Sequence, residues 1–63
     1  MPKILHNDEV LLEGDPTSIH IIYRNLKGRN QPPLAPGTYR QYLDWVSWKT
    51  GVAINPRRLK MVM

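Results

Sequence analysis

The alternation of apolar and polar positions divides the chain into four parts. Residues 1–24 read as strands. Ile4 and His6 alternate with Lys3 and Leu5, and His6-Asn7-Asp8-Glu9 supplies a polar turn. Glu9–Glu13 is a short apolar run with charged ends, and Gly14-Asp15-Pro16-Thr17 is a turn signal. Ser18–Arg24 is the strongest strand candidate. It is rich in β-branched residues, with Ile19, Ile21 and Tyr23 on one face and Ser18, His20, Ile22 and Arg24 on the other.

Residues 25–37 read as a connection. Lys27-Gly28-Arg29-Asn30 is a basic turn, and Pro32, Pro33 and Pro36 favour an extended arm. Residues 38–50 read as a helix, with Gly37 or Thr38 as its start and Gly51 as its C-terminal cap. At 3.6 residues per turn, Tyr39, Tyr42, Leu43, Val46 and Thr50 share one side. Trp45 flanks that stripe and Trp48 lies nearly opposite, so at least one tryptophan is expected outside the core. The basic tail, residues 51–63, has two readings. Asn55-Pro56 starts a short helix, which is preferred; alternatively Leu59, Met61 and Met63 alternate as a closing strand.

The resulting expectation is one small domain, residues 1–63, of the α+β class. A small antiparallel two- or three-stranded meander is packed by one aromatic helix and followed by a short basic C-terminal helix or strand. The expected core is Val10, Leu12, Ile19, Ile21, Tyr39, Leu43 and Val46. Sixty-three residues bury a thin core, and there is no cysteine to staple it. A homo-oligomer is therefore expected as one way to enlarge it.

Net charge sharpens this picture. The formal +4 divides unevenly along the chain. Residues 1–23 set Lys3 against four carboxylates, a net −3, and residues 24–63 set eight Lys and Arg against Asp44, a net +7. Such asymmetry points to an anionic partner. The nucleic-acid candidates are Lys27, Arg29, Arg40, Lys49, Arg57, Arg58 and Lys60, with Arg24 beside them. Cations of this kind neutralise phosphates, and Trp48 would add a stacking contact. DNA is preferred to RNA, because no RNA-recognition aromatic signature occurs.

A competing surface is a protein interface centred on Tyr42, Trp45 and Trp48, aromatic types that dominate interface energy. Two weaker motifs complete the set. Thr38–Thr50, Gly51–Ile54 and Asn55–Met63 partly match a helix-turn-helix, although Arg57 and Lys60 stand where apolar residues belong. Pro33 and Pro36 have PxxP spacing without the usual flanking base.

Catalytic chemistry finds little support. His6, Asp8 and Glu9 form no recognised metal pattern, and His20 with Ser18 lacks a nucleophile elbow or an oxyanion hole. No cofactor, metal or membrane partner is expected. No apolar run approaches a membrane span, and the chain is expected to be a complete cytoplasmic product. The expected function is non-enzymatic: a small regulatory or accessory protein, of the size encoded by phage and mobile-element accessory genes. It would bind nucleic acid through its basic C-terminal two-thirds, or alternatively a protein through the aromatic helix.

Overall fold

The computed structural model describes all 63 residues. Three antiparallel strands, β1 (Lys3–His6), β2 (Glu9–Glu13) and β3 (Leu59–Val62), form one sheet in the order β2-β1-β3. Two helices, α1 (Pro16–Lys27) and α2 (Pro36–Thr50), lie between β2 and β3 in sequence. The α+β class therefore holds. The sheet is three-stranded, but it is not a sequential meander, because β3 returns from the far end of the chain to pair with β1.

β1 and β2 make a hairpin through Asn7 and Asp8, which both adopt positive φ (52° and 66°). That twist matches a two-residue hairpin, and Asn and Asp tolerate it better than most residues. The pairing slips by one residue. Ile4 faces Leu12 and Leu5 faces Val10, so Leu11 is an extra, bulged residue. The bulge corrects one core assignment. Val10 falls on the outer face with Leu5 and is 58% exposed, while Leu11 and Leu12 both pack against the core.

Ser18–Arg24 is helix, not strand, and Asn25–Lys27 is the last turn of that helix, not part of the connection. Its ends explain why. Asp15 is the N-cap and accepts the Ser18 N–H at 3.0 Å, and Pro16 occupies the first turn, where a missing N–H costs nothing. Gly28 closes the helix at φ 69°, and the Arg29 N–H donates to the Arg24 carbonyl at 2.9 Å. Ile19, Ile22, Tyr23 and Leu26 follow the spacing of a helical stripe and all pack in the core. Ile21 projects outward, 53% exposed, and leaves the expected core.

The Ser18 backbone N–H, and then the Ser18 hydroxyl, hold the Asp15 carboxyl below its ordinary value. A carboxylate favoured in the folded state stabilises fully above the usual carboxylate range. That contribution is lost as pH falls through the lowered value. Asp15→Asn retains an N-cap acceptor without the titration. The difference in melting temperature between wild type and Asp15→Asn is therefore expected to shift toward Asn as the solution is acidified. A parallel pH profile for the two proteins would refute this assignment.

α2 begins at Pro36, two residues before the expected start, with Ala35 as an N-cap that makes no side-chain bond. The connection shrinks accordingly to residues 28–35. Gly51 caps the C-terminus as expected, at φ 73° with its N–H on the Ser47 carbonyl. The tail holds elements of both readings. Asn55 caps a single 3₁₀ turn, Pro56–Arg58, and the chain then enters β3, so the preferred short helix gives way to the closing strand. A further helix would have left β1 with one open edge, whereas β3 pairs with it along its whole length.

The core consists of Ile4, Ile19, Leu26, Val46 and Leu59, with Leu12, Tyr42 and Leu43 half-buried against it. Tyr39 is also half-buried, and its hydroxyl donates to the Leu26 carbonyl at 2.7 Å. This bond fixes the start of α2 beside the end of α1. His6 is the buried polar side chain of the sheet, and its Nε2 accepts the Asn55 N–H at 3.0 Å.

Candidate functional site

The expected cations separate into distinct places. One group gathers at the C-terminal end of α1. Lys27 extends across to donate from Nζ to the Pro56 carbonyl at 2.9 Å, which fastens the 3₁₀ turn carrying Arg57 and Arg58 to that end of the helix. Arg24 and Arg29 lie there too, linked by the Arg24 guanidinium donating to the Arg29 carbonyl at 3.2 Å. Arg24, Arg29, Arg57 and Arg58 are exposed and make no salt bridge. The C-terminal end of the α1 dipole is also negative, which nearby cations complement. Lys27 itself is half-buried, with its ammonium 6.0 Å from the Tyr23 ring centroid, so it works as a fastener for the cluster.

The other cations sit elsewhere. Arg40 pairs with Asp44 at 3.6 Å on α2. Lys49 lies 5.6 Å from the Trp45 ring centroid. Lys60 stands opposite Leu5 in the sheet register, on the face away from the helices. Trp48 belongs to α2 and not to the arginine cluster.

A second surface follows α2. Trp45 is 54% exposed and Trp48 77% exposed, so both tryptophans lie outside the core. They are three positions apart on one side of the helix. Tyr42 joins them, with its ring centroid 6.3 Å from that of Trp45. Beside Trp45 runs an apolar groove of about 180 Å³, walled by Leu12, Ile22, Tyr42, Val46 and Thr50, with Lys49 as its single charged lining residue. The strand reading of α1 hid the contribution of Ile22. The signal was present in the helical spacing of Ile19, Ile22, Tyr23 and Leu26.

Other sequence candidates resolve locally. No second helix follows α2, so there is no helix-turn-helix. Pro36 opens α2 and Pro33 lies outside it, which breaks the PxxP spacing between two kinds of backbone. Ser18 and His20, two apart on a helix, point to different sides. His6 is engaged with Asn55, and no group of three or more His, Asp or Glu stands close enough to hold a metal ion. No helix is long and apolar enough to cross a membrane.

No curated protein and no solved structure matches the chain. A family model does match, over residues 1–62, nearly the whole length. The chain with this arginine cluster and this exposed tryptophan pair thus belongs to the family described as a domain of unknown function (DUF7688).

Proposed function

We propose that this is a small non-enzymatic regulatory or accessory protein that binds nucleic acid, DNA in preference to RNA, through the basic end of α1. The observation that carries the reading is the Lys27–Pro56 contact. It joins segments 29 residues apart in sequence, bringing Arg24 and Arg29 near Arg57 and Arg58, none of which has an acidic partner. Arginine forks match phosphate geometry, and several on one surface release counterions together. The reading places the protein in the cytoplasm, where DNA is at hand.

The test is a titration of labelled duplex DNA, single-stranded DNA and RNA over a series of salt concentrations. If the four arginines each neutralise one phosphate of a duplex, log K falls against log salt with a slope of about −4. Arg57→Glu/Arg58→Glu is expected to reduce affinity by about a hundredfold or more, while Lys60→Glu changes it little. Absence of binding to any of the three at low salt overturns the reading.

A second reading, a protein-binding modulator or assembly subunit using Tyr42, Trp45 and Trp48, is favoured by a specific observation. Both tryptophans are exposed, and Trp45 lines the apolar groove. The partner that fits this face is argued next.

A further inference from the structure

The exposed tryptophans do not stand alone on α2. Along the helix the order is Asp44, Trp45, Trp48, Lys49. At 100° per residue, the two tryptophans occupy the middle of one face. Asp44 borders Trp48 on one side, and Lys49 borders Trp45 on the other. Asp44 and Lys49 therefore lie at diagonal corners of an aromatic patch. The four residues form a pattern of acid, aromatic, aromatic and base about a single centre.

Such a pattern is complementary to itself. A two-fold axis through its centre, perpendicular to the Asp44–Lys49 diagonal, sets each Asp44 against Lys49 of the second copy. The same axis brings the tryptophans of both copies together in the middle. An isologous contact requires this reciprocity, in which residue i meets j and j meets i.

The areas agree. A stable interface takes roughly 800 Å² from each partner, about a sixth of the 4600 Å² surface of this chain. Two tryptophans at these exposures supply on the order of 300 Å², and Tyr42, Gln41 and the charged corners continue the patch. The monomer also has reason to associate, since its buried hydrophobic core is only five residues, Ile4, Ile19, Leu26, Val46 and Leu59.

We infer that the exposed face of α2 is the interface of a symmetric homodimer, with Trp45 and Trp48 at its centre and two reciprocal Asp44–Lys49 ion pairs at its margins. The inference is independent of the nucleic-acid reading. The arginine cluster lies at the end of α1, and Arg57→Glu/Arg58→Glu is expected to leave the dimer intact.

The test is sedimentation of the full chain over a concentration series, with charge reversal and rescue. Wild type is expected to show a monomer–dimer equilibrium and no larger species. Asp44→Lys and Lys49→Asp each place like charges at both margins, and each is expected to weaken association at least about tenfold. The double variant Asp44→Lys/Lys49→Asp restores both pairs and is expected to recover dimerisation. Asp44 also pairs with Arg40, so the helix content of every variant is checked by circular dichroism. Trp48→Ala, at a 77% exposed position, gives a variant that keeps the monomer fold while losing the dimer. A wild type that stays monomeric at millimolar concentration overturns the inference. So does a dimer that survives both single reversals, or a double variant that fails to reassociate.

Discussion

Leu26→Ala is expected to leave the chain largely unfolded. Leu26 is fully buried, at 0% exposure, and sits in the last turn of α1 where the core meets the start of α2. Truncating a buried leucine costs about 2–5 kcal/mol, more where the surroundings cannot collapse into the space. The whole stability of a domain this size is about 3–9 kcal/mol, so one such cavity removes most of it. Collapse is resisted here, because the Leu26 carbonyl accepts the Tyr39 hydroxyl and the backbone is tied to α2. Ile21→Ala is the matched control, since Ile21 is apolar and lies in the same helix but is 53% exposed. It is expected to shift stability by about 0.5 kcal/mol or less, as surface substitutions do. Urea denaturation followed by circular dichroism measures both. Equal losses for the two variants would falsify the packing of α1, because a strand through Ser18–Arg24 would bury Ile21 with Ile19.

The second large effect is expected at His6. Its Nε2 accepts the Asn55 N–H across 49 residues of sequence, in a site where the imidazole is 8% exposed. This bond holds the tail in place as it turns into β3. His6→Leu keeps an apolar side chain of similar bulk but supplies no acceptor. Leaving this part-buried amide unpaired costs about 1 kcal/mol, the low end of the range for buried groups. His6→Gln carries an oxygen at a comparable reach and is expected to recover part of the loss. Urea midpoints give the stability, and hydrogen exchange at the Asn55 amide reports the bond itself. If the leucine variant is as stable as wild type and its Asn55 amide stays protected, His6 is not the fastener of the tail.

Much of the fold was legible locally. The polar Asn7-Asp8 turn, the aromatic stripe of α2, the glycine cap at Gly51 and the Asn55-Pro56 start are short-range features. Each depends on backbone preferences within a few residues. The exposure of Trp48 followed from helical geometry alone, once Tyr39, Tyr42, Leu43 and Val46 were assigned inward.

The misreading of Ser18–Arg24 shows where local reasoning fails. Three isoleucines and a tyrosine in seven residues carry strand propensity, and the same residues also satisfy a helical stripe. Propensity differences amount to only a few tenths of a kcal/mol per residue, too little to outweigh burial of Ile19, Ile22, Tyr23 and Leu26 against the sheet. The deciding signals lay at the ends. Asp15-Pro16 and Gly28 together frame a helix, but each also reads as part of a turn. The bulge at Leu11 was hidden for a similar reason, because one extra residue changes which face Val10 occupies without changing its composition.

The candidate sites divide along the same line. The α+β class, the acidic-then-basic charge order and a tryptophan outside the core were all legible from residue chemistry. These follow from side-chain chemistry and from periodicity along a single helix. That Arg24 and Arg29 share one end with Arg57 and Arg58, while Arg40, Lys49, Lys60 and Trp48 do not, came from the packing of distant segments. That grouping depends on long-range contacts, the Lys27 ammonium on the Pro56 carbonyl and the Asn55 amide on His6. Partners 29 and 49 residues apart leave no trace in local spacing, because nothing in the pattern of neighbouring residues specifies which distant segment will complete a hydrogen bond.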